Sequence, residues 1–275
     1  MYLEIDDYKG WCNRLAPWLN QRFHPAVLER FYETVHPDWL TWLDAQQAAH
    51  TGTNESSKAL FAPYLHGAYE GIRVIHATRL PNLEIVRDHG LRPWSPDELR
   101  KKAHQEFGGE AERVALEESI EKCLPDHRGG AVYSFASLSH ALGGPDSPSS
   151  IPEFASEGGE FLRCVGLDAG LGRTRVRSSG QAYLFACDIP WQFMSEELVG
   201  GIAEDILRGL LVWRFFDVNS YSMLGSYVCI STSRNIPPER IQFVADVEHL
   251  VARTNVRTSE IRWERFGGLL AQEAT

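Results

Sequence analysis

Two patterns of hydrophobic and polar positions divide the chain. In residues 1–68, apolar side chains recur at the three- and four-residue spacing of amphipathic helices, as at Trp11, Leu15 and Trp18. From residue 129 onwards, short apolar runs are separated by glycines and turn residues, which predicts strands. These runs are residues 131–136, 161–165, 182–189 and 227–231. Helices followed by strands predict an α+β fold, with a helical region at 1–68 and a sheet-containing domain at 69–275.

One further strand precedes a short helix in residues 73–93. Its apolar run ends in His76-Ala-Thr78-Arg79, and alternation along a strand places His76 and Thr78 on the same face. The helix that follows closes at Gly90, a glycine of the C-cap type. An imidazole, a hydroxyl and a guanidinium at one strand end suit a ribose and a diphosphate. The alternative is a core histidine in front of an ordinary helix.

Two later segments carry further candidate chemistry. In residues 129–142 a glycine pair precedes a strand with Tyr133, which is either a stacking platform for an aromatic ring or an ordinary strand tyrosine. In residues 154–165, Glu160 follows two glycines at the start of an apolar run. A carboxylate there can stabilise a positive charge that develops on a reacting sugar. Glu157 is the rival carboxylate, and a solvated loop acid is the alternative for both.

Together these segments resemble the ADP-ribosyltransferase superfamily, in short motifs within residues 70–250. Members carry a first strand with His-x-Thr, and a second strand with a tyrosine that stacks on nicotinamide. The turn at residues 236–241 (Ile-Pro-Pro-Glu-Arg-Ile) resembles the approach to the last strand of such domains. The chain departs from the diphtheria-toxin-like pattern because residues 225–230 hold no glutamate. That departure moves the acid to Glu160.

The resemblance implies a split β-sheet core with an N-terminal helical layer, and NAD as the substrate. His76 and Thr78 would hold the adenosine-side ribose, Arg79 the diphosphate, Tyr133 the nicotinamide, and Glu160 the developing cation. His76, Tyr133 and Glu160 would be the catalytic set. The implied reaction transfers ADP-ribose to a protein or a nucleic acid, as in bacterial toxins or phage-defence effectors. An NAD glycohydrolase and an inactive interaction module are the alternatives.

Composition narrows the picture further. The chain has 275 residues, 43% of them hydrophobic, and no apolar run approaches the roughly 18 residues of a membrane span. The N-terminus lacks the plan of a signal peptide, so a cytoplasmic protein is expected. The 5 cysteines are scattered without Cys-x-x-Cys, which predicts neither a disulfide framework nor a metal site. A net charge of −10 argues against global steering of nucleic acid, although a local basic surface can still bind it, and it suits a basic partner. A cognate antitoxin is a further partner that the resemblance to toxins implies.

Overall fold

The computed structural model of the chain describes residues 1–33, 38–52, 54–109, 113–124, 130–142, 151, 155, 160–170, 180–216 and 229–267. In chain order the strands and α-helices are β1 (Tyr2–Leu3), α1 (Tyr8–Arg22), α2 (Pro25–Glu33), α3 (Trp39–Thr51), α4 (Ser57–Ala68), β2 (Gly71–Leu80), α5 (Glu84–His89), α6 (Pro96–Phe107), α7 (Arg113–Cys123), β3 (Val132–Phe135), α8 (Leu138–Ala141), α9 (Glu160–Asp168), β4 (Gln181–Pro190), α10 (Glu196–Phe216), β5 (Cys229–Thr232), β6 (Ile241–Asp246) and β7 (Glu264–Arg265).

The strands form one seven-stranded sheet within the described ranges, in the order β5-β3-β2-β4-β6-β7, with β1 pairing with β2. The short β1 runs parallel to β2. Antiparallel pairing joins β2 to β3, β3 to β5, β4 to β6 and β6 to β7. A mixture of helices with a largely antiparallel open sheet is the α+β class that the sequence predicts.

The chain divides by its internal contacts into two compact units. One comprises residues 1–72 and 190–227, and the other residues 73–189 and 228–275. The domain boundary between residues 68 and 69, which the sequence indicates, remains a prediction. By contacts alone, residues 190–227 group with the N-terminal helices, because the long apolar helix α10 packs against α1 and α4.

The first unit is a helical packing arrangement rich in aromatic residues. The rings of Trp18 on α1 and Phe61 on α4 meet edge to face with centroids 4.8 Å apart. The hydroxyl of Tyr8 donates to the carbonyl of Gly209 at 2.8 Å and joins α1 to α10. The helical periodicity read from the first residues of the chain is thus confirmed for α1, whose buried residues include Trp11, Trp18 and Leu19.

The second unit has a core cluster of mostly small and aliphatic side chains. Members come from β2, β4 and β6 and include Ile75, Ala77, Leu184 and Ala245. A second cluster joins α6, α7 and α9 through the fully buried Phe107 and its neighbours. The helix α6 begins with a capping box, in which the side chains of Ser95 and Glu98 each accept from the backbone N–H of the other residue.

One strand prediction is wrong. Residues 161–165 form part of the helix α9 and not a strand. Phe161, Leu162 and Val165 lie on one side of that helix, where they are buried among the side chains of α6 and α7. Apolar residues one and four positions apart fit one face of a helix as well as a short buried strand. The packing of these side chains against α6 and α7 favours the helix. The predictions for β3 and β4 are confirmed, while residues 227–228 lie outside the described part.

Candidate functional site

The candidate site lies where β2 and β3 are neighbours in the sheet. The register joins Ile75 of β2 to Phe135 of β3. His76 directly follows Ile75 on β2, and Tyr133 lies two residues before Phe135 on β3.

The side chain of His76 reaches the backbone of β3. Its Nδ1 lies 2.9 Å from the carbonyl oxygen of Tyr133. A carbonyl can only accept, so Nδ1 carries the hydrogen and donates it. In the neutral imidazole the other ring nitrogen, Nε2, is then an acceptor. His76 therefore offers a hydrogen-bond acceptor near the end of β2.

The neutral form of His76 is the favoured one. Burial lowers the pKa of His76 from its usual value, because a charged imidazolium loses solvation there. The hydrogen bond to the Tyr133 carbonyl acts in the opposite direction and is the smaller effect. His76 itself remains partly accessible, as does Thr78 two residues further along the strand. Both lie on the face of β2 opposite to Ile75 and Ala77, as alternation predicts.

Tyr133 presents its ring to solvent, with 46% of its surface exposed. It lies opposite Ser231 of β5 and two residues from Phe135, which packs against the core cluster. Alternation places Tyr133 on the same face as Phe135, so its ring and the imidazole of His76 start from opposite faces of the sheet. The structure thus brings these two predicted site residues together through the Tyr133 carbonyl.

Arg79 lies inside the protein. Its side chain is 2% exposed, and its Nη2 donates to Oε1 of Glu248 at 2.8 Å. Its Nη1 also lies 3.4 Å from the carbonyl oxygen of Ala155. Sequence reasoning missed Glu248, because 169 residues separate it from Arg79 and no local pattern connects them.

Glu160 is the first residue of α9, a helix and not a strand. Its side chain and the whole of Glu157 lie outside the described residues. The assignment of the acid therefore stays a prediction. The backbone places Glu160 in the first turn of a helix, where the exposed N–H groups and the helix dipole stabilise a carboxylate.

Two serines beyond the predicted set lie next to Tyr133. Ser134 is 2% exposed, and its hydroxyl has no hydrogen-bond partner among the described residues. Ser137 caps α8 by accepting from the backbone N–H of His140 at 3.1 Å, and its Oγ lies 2.9 Å from the Nδ1 of His140. His140 lies three residues after Ser137, which is the usual spacing between an N-cap side chain and the backbone N–H that it accepts from. That spacing is the signal that could have identified the two residues in the sequence.

No protein-family model, curated protein or solved structure matches the chain. Across the described ranges, no helix is long and apolar enough to cross a membrane. Within those same ranges, no group of three or more His, Cys, Asp or Glu side chains could hold a metal ion.

Proposed function

We propose that the chain is an NAD-dependent ADP-ribosyltransferase with a split sheet, acting on a protein or nucleic acid as a toxin or defence effector. The observation that carries the proposal is the 2.9 Å contact between the His76 imidazole and the Tyr133 carbonyl. It joins two motifs that are 57 residues apart and that the resemblance to ADP-ribosyltransferases independently picks out.

NAD would bind beside His76 and Tyr133. The neutral His76 would accept a hydrogen bond from a ribose hydroxyl through Nε2, and Thr78 would add a hydroxyl on the same face. No side-chain hydrogen bond of Thr78 to another described residue competes with that role. The exposed ring of Tyr133 would stack on nicotinamide. Because Tyr133 and His76 start from opposite faces of the sheet, a ligand that touches both would have to extend from one face to the other.

The chemistry would break the bond between the nicotinamide nitrogen and the anomeric carbon of ribose. The bonding electron pair leaves with nicotinamide, which becomes neutral, and positive charge develops on the ribose. A carboxylate close to that carbon stabilises the charge, and Glu160 is the residue proposed for this role. A nucleophilic oxygen or nitrogen of the acceptor then bonds to the same carbon and releases its proton to solvent.

Transfer is tested by incubating the purified chain with NAD labelled in its adenylate part and a cell lysate. Label that becomes attached to large molecules supports the proposal, and its removal by protease or by nuclease identifies the acceptor class. Nicotinamide release without attached label would favour an NAD glycohydrolase. Saturable NAD binding without release of nicotinamide would favour an inactive interaction module. If the chain neither binds NAD nor releases nicotinamide, the proposal is refuted.

A further inference from the structure

The end of β2 is held by a buried ion pair. The guanidinium of Arg79, three residues after His76, donates to Glu248, which begins a short 3₁₀ helix after β6. The two partners differ in burial, with 2% of the Arg79 side chain and 41% of the Glu248 side chain exposed. Arginine keeps its charge in proteins, and this carboxylate supplies a negative charge beside the buried guanidinium.

The carboxylate of Glu248 has a second partner. Its Oε2 accepts from the backbone N–H of Ala182 at 2.9 Å, at the beginning of β4. One carboxylate thus connects the end of β2 to the start of β4. The two segments are already close here, because a Cβ added at Gly180 would lie 2.4 Å from the carbonyl oxygen of Leu80. Glu248 therefore adds a side-chain link between two strands that are already neighbours in the sheet.

These contacts leave little opportunity for Arg79 to bind a diphosphate. A phosphate oxygen would have to replace Glu248, whose other oxygen is held by the Ala182 N–H. It would also have to reach a guanidinium that solvent barely touches. Desolvating a doubly charged diphosphate for that purpose is unfavourable when a carboxylate already occupies the place.

We infer that Arg79 is a positioning residue and that Glu248 is its required partner. The pair fixes the last residues of β2, so that His76 and Thr78 keep their places next to β3. The inference rests on the proposed function for the identity of the ligand, and it replaces the diphosphate contact expected for Arg79. Glu248 thereby becomes a residue on which ligand affinity depends without touching the ligand.

The test variant is Glu248→Gln, which keeps an oxygen for the Ala182 N–H and removes the charge that faces Arg79. The matched control is Glu84→Gln. Glu84 pairs with Arg87 in the same kind of arrangement, a buried arginine side chain against an exposed carboxylate. Affinities for ADP-ribose and for adenosine, which lacks the diphosphate, are compared for both variants. The ¹⁵N signals of the His76 ring are recorded without any ligand.

Positioning predicts that Glu248→Gln loses affinity for ADP-ribose and adenosine by the same factor, on the order of ten-fold. It also predicts that Glu248→Gln shifts the His76 signals, whereas Glu84→Gln changes neither the two affinities nor these signals. If Arg79 instead contacts the diphosphate, Glu248→Gln should strengthen the binding of ADP-ribose and leave that of adenosine unchanged. The reason is that neutralising the competing carboxylate frees Arg79 for the diphosphate. That result, or unchanged His76 signals, would overturn the inference.

A second variant covers the case in which Glu248→Gln does not fold. Arg79→Lys keeps the positive charge but loses the planar guanidinium that reaches both Glu248 and Ala155. Arg79→Lys is expected to weaken the binding of ADP-ribose and of adenosine by the same factor. If the native chain binds neither ligand, the proposed function fails, and the ligand-free His76 signals still decide the positioning role.

Discussion

At the scale of single residues, the hydrogen bond of His76 determines what the site can recognise. Its Nδ1 is committed to the Tyr133 carbonyl, and burial keeps the pKa of His76 below its usual value. A neutral ring held in this way offers Nε2 to a hydroxyl donor at physiological pH. A ribose hydroxyl meets this requirement, since it can donate.

His76→Asn separates the two hydrogen bonds of the imidazole. The amide nitrogen of asparagine occupies the place of Nδ1 and keeps the donation to the Tyr133 carbonyl, while the acceptor at Nε2 is lost. We expect NAD affinity to fall by about 1 kcal/mol, roughly five-fold, with the thermal midpoint nearly unchanged. Calorimetric titration and thermal unfolding measure the two quantities. A large loss of stability with unchanged affinity would show that His76 is a structural core histidine.

Tyr133 tests the stacking role. Phe keeps the ring, so Tyr133→Phe should retain most activity, whereas Tyr133→Ala should lose about 1–3 kcal/mol of binding or transition-state stabilisation. Neither change should affect folding much, because 46% of the residue is exposed. Steady-state rates of nicotinamide release measure the effect. Equal losses for the two variants would mean that the hydroxyl matters and the ring does not.

Glu160→Gln tests the proposed acid. The substitution keeps the shape and removes the charge, so NAD should still bind while the rate falls on the order of 10²-fold or more. Glu157→Gln is the neighbouring control and should stay active. An inactive control beside an active Glu160→Gln would move the acid by three residues. If both variants stay active, the acid lies outside this segment.

At the scale of elements, α9 owes its helical form to packing. Leu162 is 3% exposed within the cluster of α6, α7 and α9, whereas Leu167 on the same helix is 45% exposed. Leu162→Ala should destabilise the protein by about 2–5 kcal/mol, and Leu167→Ala by less than about 0.5 kcal/mol. Urea unfolding of the two variants measures both values. Equal effects would contradict the burial of one face of α9.

The elements also show what a sequence can and cannot reveal. The strand with His76 and the helix closed by Gly90 were predicted, because alternation and a C-cap glycine are local signals. The run at 161–165 was mistaken for a strand because its partners, such as Phe107, are distant in the chain. The ion pair of Arg79 was missed for the same reason.

At the scale of the whole molecule, stability should depend on two histidines as the solution becomes mildly acidic. Burial lowers the pKa of His76 and of His66 below the usual value of about 6.5. As the pH falls through 6.5, the unfolded chain binds protons that the folded chain does not, so the free energy of unfolding decreases. The carboxyls with lowered pKa, Glu98, Asp168 and Glu260, lose their contribution only in more acidic solution.

Urea unfolding at several pH values checks this dependence. We expect the free energy of unfolding to decrease from about pH 7 to about pH 5.5. The decrease should become smaller in His76→Asn and smaller again when His66→Asn is added. A native chain whose stability does not change over this interval, or a variant with the full decrease, would contradict the lowered pKa of the two histidines.

The account depends most on the claim that the site formed by His76 and Tyr133 binds and cleaves NAD. The most direct measurement is the release of nicotinamide from NAD by the purified chain, followed over time by chromatography. We predict catalytic release, with more than one nicotinamide formed per protein molecule when an acceptor is supplied, and slower release by Tyr133→Ala. Intact NAD, together with no saturable NAD binding, would contradict the account.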